Sequence, residues 1–202
     1  MRARDNPFAV QRVLAIRYRL SGTTWEELLA RLESLRFRAA LVGPHGHGKT
    51  TLLEDLGARL AERGFRVRTV TLHEGDRRLD ATRRKILFHN LTPSDVLLLD
   101  GAEQLGRLSW LEVRTRTRAT GGLILTSHRP GLLPTLHECR TTPGLLAEIV
   151  GELAGEGMET GDLFAQLFSR HGGNVRDALR ELYDLWSTGD VPRTGAPSPA
   201  GR

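Results

Sequence analysis

The residues of this chain best placed to do chemistry are Gly43-Pro44-His45-Gly46-His47-Gly48-Lys49-Thr50, entered from the apolar run Ala39-Ala40-Leu41-Val42. Glycines at 43, 46 and 48 let the backbone wrap closely, so that its N–H groups converge on an anion. A helix expected from Thr51 to Arg63 adds the positive end of its dipole. The stretch reads as a phosphate-binding loop lined by Gly43, Pro44, His45, Gly46, His47, Gly48, Lys49, Thr50 and Thr51. Lys49 is placed to reach β and γ phosphates, and the Thr50 hydroxyl to take a coordination position on Mg2+. With average residue usage, the four fixed positions would arise by chance in roughly 1% of chains this long, which favours a functional loop over a glycine-rich turn. Lys49 and Lys85 are the only lysines in an arginine-rich chain, consistent with a need for a compact point charge at position 49.

The second constellation is Ser94-Asp95-Val96-Leu97-Leu98-Leu99-Asp100. A short continuous apolar run ending in an acid fits a strand buried on both faces of a parallel sheet, with its carboxylate emerging at the carboxyl edge. Asp100 is then a second holder of Mg2+, opposite Thr50. After it comes Gly101-Ala102-Glu103-Gln104-Leu105, in which Glu103 is either a general base or a helix-dipole partner. A third run, Gly122-Leu123-Ile124-Leu125, ends in Thr126-Ser127-His128. Far downstream, Gly172 and Gly173 break the chain and Asn174 is a good N-cap. Val175, Leu179, Leu182 and Trp186 then recur at helical spacing, with Arg176 outside that apolar stripe.

These four segments together resemble the AAA+ ATPases, a family of P-loop NTPases of the additional-strand catalytic-glutamate class, over roughly residues 23 to 188. The resemblance makes Gly43 to Thr50 the Walker A loop and Val96 to Asp100 the Walker B strand, and it implies ATP and Mg2+ as ligands. It implies a polar sensor among Thr126, Ser127 and His128, of which Ser127 is favoured. It also implies that Arg176 is the sensor 2 arginine that reports the γ-phosphate to a lid. Glu103, Lys49, Ser127 and Arg176 are thereby the catalytic set. The chain departs from the family where Gly101 occupies the place directly after the Walker B acid, which the water-activating Glu usually holds. That departure bears on hydrolysis more than on binding, so a weakly hydrolysing nucleotide-dependent switch or adaptor stands as the alternative to an ATPase. Asn6-Pro7-Phe8 is expected near the adenine base, because such proteins often place N-terminal residues there. A site completed between subunits would draw an arginine from a second copy, with Arg129 and Arg140 as candidates, which implies a homo-oligomer.

Composition is compatible with this reading. A chain of 202 residues can bury one α/β core plus a small helical cap. No apolar run approaches a membrane span, and the Arg-rich start lacks the apolar segment of a secretory signal, so no membrane partner and a cytoplasmic location are expected. Cys139 is alone, which excludes an internal disulfide. The net charge of +5 raises DNA as a partner, through Arg77-Arg78, Arg83-Arg84-Lys85 and Arg114-Arg116-Arg118. Near-total replacement of lysine by arginine looks like compositional bias, however, and DNA is not favoured over a protein partner.

The expected architecture is α/β: a P-loop NTPase parallel sheet with helices on both faces, plus a small C-terminal helical lid. Its divisions are a basic N-terminal segment at 1–22, the nucleotide-binding core at 23–142, the lid at 143–188 and a disordered tail at 189–202. Thr24 with Glu27 forms a capping box opening the first core helix. Strands are expected near 38–43, 66–72, 96–100, 122–125 and 135–139, and helices over 51–63, 76–89, 103–118, 145–153, 162–170 and 175–186. The resemblance puts the loop-bearing strand between the last strand and the Leu123 strand.

Overall fold

The computed structural model describes residues 6–155 and 161–189. The expected tail lies outside the described residues from position 190 on, as do the first five residues of the basic segment. The chain divides into two compact units, one of Arg17–Cys139 and one formed by the N-terminal stretch to Ile16 with the chain from Arg140 onward.

The first unit is built on five parallel strands: β1 (Arg38–Val42), β2 (Arg66–Thr71), β3 (Asp95–Asp100), β4 (Gly122–Ser127) and β5 (Thr135–Glu138). They lie in the order β2-β3-β4-β1-β5. The loop-bearing strand β1 therefore sits between β4 and β5, as the resemblance implies, with Val42 level with Ser127 on one side and with Glu138 on the other. Because β4 is inserted between β1 and β3, the segments that leave the carboxyl ends of β1, β3 and β4 all open on one edge of the sheet.

Side-chain alternation explains the apolar runs. Val96 and Leu98 of β3 join Ala39, Leu41 and Ile124 against the leucines of α2 (Trp25–Ser34) and α3 (Lys49–Glu62). Leu97 and Leu99 join Ala40, Leu123 and Leu125 against Leu87 of α4 (Ala81–Phe88) and Val113 of α5 (Arg107–Arg116). A strand with covered neighbours on both faces has no position to give to a polar side chain, so the sequence runs Val-Leu-Leu-Leu without alternation. The expected face of α3 is formed as read, with Leu52, Leu53, Leu56 and Leu60 all buried. The Thr24 capping box is also present: Thr24 Oγ1 accepts from the Glu27 N–H at 3.2 Å, and Glu27 Oε2 accepts from the Thr24 N–H at 3.0 Å.

Two expected helices start later than the residue pattern indicates. Asp76 ends a turn over His73–Asp76 that its own carboxylate closes by accepting from the His73 N–H at 2.8 Å, and α4 begins only at Ala81 with Asp80 as its N-cap. The helix expected from Glu103 is divided into a 3-10 turn over Ala102–Gln104 and then α5, with Gly106 as N-cap between them.

The second unit is helical. It holds α1 (Val10–Leu14), α6 (Pro143–Ala154), α7 (Gly161–Arg170) and α8 (Val175–Thr188). Thr142 caps α6 and Asn174 caps α8, each side chain accepting a backbone N–H three residues on. Leu146, Val150, Phe164, Leu167, Leu179 and Leu182 form its core. Phe8 is buried in that core, edge-on to Trp186 at 5.9 Å. Asn6 donates to the Tyr183 carbonyl at 2.9 Å and to Ser187 Oγ at 3.0 Å. Both side chains are occupied within this unit. Among the described residues no helix is long and apolar enough to cross a membrane.

Candidate functional site

The glycine-rich loop joins β1 to α3, and its end is set by Gly48, which takes a left-handed conformation at φ +78° as the N-cap of α3. No side chain caps this helix, so its first-turn N–H groups are left for another acceptor. Glycine is also required for space. A Cβ at Gly48 would lie 2.9 Å from the Tyr18 ring, and one at Gly43 would lie 2.5 Å from the Cys139 carbonyl oxygen. The loop is thus pressed onto Tyr18 and onto Cys139 just past the end of β5.

Lys49, only 8% exposed, sends its ammonium back over the loop, where Nζ donates to the carbonyls of Gly43 and Pro44, each at 2.7 Å. The charge is held at the loop by backbone oxygens, a geometry that positions it toward an anion bound by the same loop. His47 beside it has its pKa pulled below the ordinary imidazole value, by burial first and by the Lys49 charge second.

From α3's first turn, the Thr50 hydroxyl donates to Asp100 Oδ2 at 3.0 Å, and from the end of β4 the Thr126 hydroxyl donates to Asp100 Oδ1 at 2.6 Å. Thr126 Oγ1 in turn accepts the Gly101 N–H at 2.8 Å. Among the described residues no basic side chain lies within ion-pair distance of Asp100. A half-buried carboxylate facing two hydroxyls is a set of hard oxygen donors with uncompensated negative charge, which suits a small divalent cation such as Mg2+. The residues present therefore fit Mg2+ in the position that Thr50 and Asp100 were expected to hold.

Gly101 explains the departure from the resembled pattern. Its φ is +78°, and a Cβ there would meet the Leu72 carbonyl oxygen at 2.7 Å, so a glutamate is sterically excluded directly after Asp100. The next acid, Glu103, lies on the 3-10 turn, with Oε1 at 3.3 Å from His128 Nε2. Its Oε2 is buried and has no hydrogen-bond partner among the described residues. The His128 ring also lies 5.3 Å from the ring of His45 in the loop.

Of the three polar residues after the β4 apolar run, Thr126 reaches Asp100, and His128 reaches Glu103. The buried Ser127 hydroxyl instead donates to the Arg129 carbonyl at 2.8 Å within its own turn. Arg129 is exposed. Arg140 and Arg176 belong to the helical unit, Arg176 exposed on the first turn of α8 and off its apolar face. Much of the arginine clustering is internally paired: Arg83 with Asp76 at 2.8 Å, Arg84 with Glu112 at 2.5 Å, and Arg116 with Glu112 at 3.3 Å. The roles of Thr126 in bonding Asp100 and of His128 in meeting Glu103 were not assigned from the sequence; the only signal was three small polar or imidazole side chains following a buried run.

The fold is shared with solved structures. The Holliday junction branch migration motor RuvB of Thermotoga maritima matches with a TM-score of 0.55 at 19% identity, over 84% of this chain and 64% of that one. A variant of the same protein gives a TM-score of 0.59 at 18% identity. NtrX of Brucella abortus, solved with ATP, matches with a TM-score of 0.55 at 14% identity, over 90% of this chain and 54% of that one. This chain has the P-loop NTPase fold. It spans less than two thirds of the length of these structures. No protein-family profile matches the chain, and no curated protein matches it.

Proposed function

We propose that this protein binds ATP with Mg2+ and is an AAA+-like ATPase that couples binding and hydrolysis to rearrangement of its helical unit and of a partner. The observation that carries the reading is the meeting of Thr50 and Asp100 at 3.0 Å, two residues fifty positions apart in the chain, at the end of a glycine-rich loop whose carbonyls hold the Lys49 ammonium. Mg2+ would supply Lewis-acid polarisation of the β and γ phosphate oxygens. Lys49 and the loop amides hold the phosphates, and Thr50 with Asp100 holds the ion's coordination shell. Glu103 accepts a proton from water as the water oxygen bonds to the γ phosphorus. The bond to the β-phosphate oxygen breaks with its electron pair leaving on ADP. Arg176 would report the γ-phosphate to the helices, and Ser127 at the end of β4 would be the polar sensor that touches the γ-phosphate or orients the water. NtrX solved with ATP and with ADP supports the choice of nucleotide.

A second reading, a weakly hydrolysing switch that presents a surface to a protein partner, is favoured by one observation: Gly101 forces the acid three positions on, into contact with His128. Homo-oligomer formation with Arg129 or Arg140 contributed in trans belongs to the first reading. DNA remains the less favoured partner, since several of the clustered arginines are already paired. Thermal shift with ATP and Mg2+ tests the binding step. Wild type should be stabilised and Lys49→Ala should not; equal stabilisation of both refutes the loop assignment. Phosphate release then separates the two readings. A measurable rate that Glu103→Gln abolishes supports the ATPase, and binding without turnover supports the switch.

A further inference from the structure

We propose that His128 is a positioning residue for Glu103, and that His45 ties His128 to the phosphate loop, so that filling the loop is passed to the acid through two imidazoles. The inference rests on the nucleotide reading and deepens it by naming how the displaced acid is controlled. Glu103 stands on a three-residue turn, where its direction is not set by a regular helix. Its two oxygens differ sharply: Oε1 faces His128 at 3.3 Å, whereas Oε2 is buried and has no hydrogen-bond partner among the described residues. A buried carboxylate oxygen without a hydrogen bond costs free energy, so it marks a place where a donor is expected to enter. The contact with His128 fixes which oxygen is turned inward.

His128 is tethered at one end only. It follows β4 directly, whose pairing with β1 holds Ser127 level with Val42, but its side chain is 39% exposed. The neighbour it does have is His45, with ring centroids 5.3 Å apart and planes inclined at 55°. His45 is carried on the loop whose amides would wrap the phosphates. A shift of that loop changes where the His45 ring lies, and the His128 ring, then its Glu103 contact, must follow. A helix-dipole role for Glu103 would call for neither imidazole.

Nitrogen-15 imidazole spectra of the full chain, alongside kinetics, test this. In the free protein, Glu103→Gln should shift the His128 nitrogens. ADP should move the signals of both His45 and His128 in wild type, and in His45→Ala, at ADP saturating for that variant, the His128 response should be largely lost. In turnover, His128→Leu should lower kcat by at least about tenfold with KM changed less than about twofold, and His128→Gln, which restores an amide donor, should recover most of it. Unmoved His128 signals at ADP concentrations that fully stabilise the protein would overturn the relay while leaving nucleotide binding intact, as would a His128→Leu kcat equal to wild type. If ADP and ATP give wild type no thermal stabilisation, the nucleotide reading itself fails, and the relay with it.

Discussion

Strand β3 carries an aspartate at each end, and the two are treated in opposite ways. Asp95 at the amino end is completely buried and saturated with protein donors. Arg66 approaches at 2.5 and 2.6 Å, Arg68 at 2.8 Å, and the Thr92 N–H and hydroxyl donate at 2.6 and 2.8 Å. Asp100 at the carboxyl end is half-buried and meets hydroxyls from Thr50 and Thr126, with no basic side chain in ion-pair contact among the described residues. The same side chain on the same strand is thus neutralised by the fold at one edge and left charged at the other. A charge that the fold has already compensated serves stability; one that it has left open is available to a ligand.

The largest expected effect comes from exchanging the open charge. Asp100→Asn should change the thermal midpoint of the free protein little, because the Asn oxygen can accept from one hydroxyl and its amide can donate to the other once that hydroxyl rotates. Mg2+-dependent stabilisation by ATP should fall by about a hundredfold in apparent affinity, as expected for an outer oxygen donor to a metal. Titrating Mg2+ at fixed ATP and following the thermal shift measures it. An unchanged Mg2+ dependence would break the contrast at its functional end.

Asp95→Asn should do the reverse. Removing a fully buried carboxylate from two arginines costs about 3 kcal/mol, or a midpoint lowered by about 6–12 °C for a chain of this size, while nucleotide affinity at low temperature is retained. The pH dependence has a definite sign. Arg66's hydrogen bonds, helped by Thr92 and Arg68, hold the Asp95 carboxyl well below the usual carboxylate range, against a burial that alone would raise it. A carboxyl depressed in the folded state adds stability in full above its unfolded value of about 4, and that stability fades as the pH falls through the depressed value. Wild type should therefore lose midpoint steeply below about pH 4, and the difference between wild type and Asp95→Asn should narrow there. A difference that stays constant from neutral pH into acid would show that the arginines do not act through this carboxylate.

The two ends were not equally legible in the sequence. Asp100 could be read because its neighbours in the argument are local: a loop with fixed spacing and an apolar run that ends in an acid. The strand itself and its burial on both faces follow from the same pattern, whereas the placement of β1 beside β4 came from the family resemblance. Asp95 passed unremarked, because its partners become visible only once β2 and β3 are in register, with Arg66 opposite Asp95. Among Thr126, Ser127 and His128 the sequence reading favoured Ser127 as a sensor, and which of the three meets Asp100 was not legible for a related reason. Successive strand residues point to opposite faces, and which of them faces Asp100 depends on the pairing of β4 with its neighbours rather than on residue type. Helix starts at Asp76 and Glu103 were misplaced because a side-chain-closed turn and a 3-10 turn have the composition of a helix N-terminus. The Gly101 backbone, by contrast, had a visible sign in the missing glutamate, but its cause, the Leu72 carbonyl, lies on a different strand's exit.

A smaller effect sharpens the contrast at the open end. Thr126 Oγ1 donates to Asp100 at 2.6 Å and accepts from the Gly101 N–H at 2.8 Å, so one hydroxyl both orients the carboxylate and satisfies the left-handed glycine beside it. Thr126→Val keeps the buried shape and removes both bonds, at a cost of about 1–2 kcal/mol. Thr126→Ser restores the hydroxyl and should recover most of that loss. If Asp100 is a ligand-facing charge, Val at this position should weaken the Mg2+ dependence of nucleotide stabilisation as well as the fold, because the carboxylate loses one of the two groups that aim it. If the valine variant loses midpoint yet keeps the wild-type Mg2+ titration, Thr126 belongs with the self-contained chemistry of Asp95's end of the strand, and Thr50 alone orients the acid.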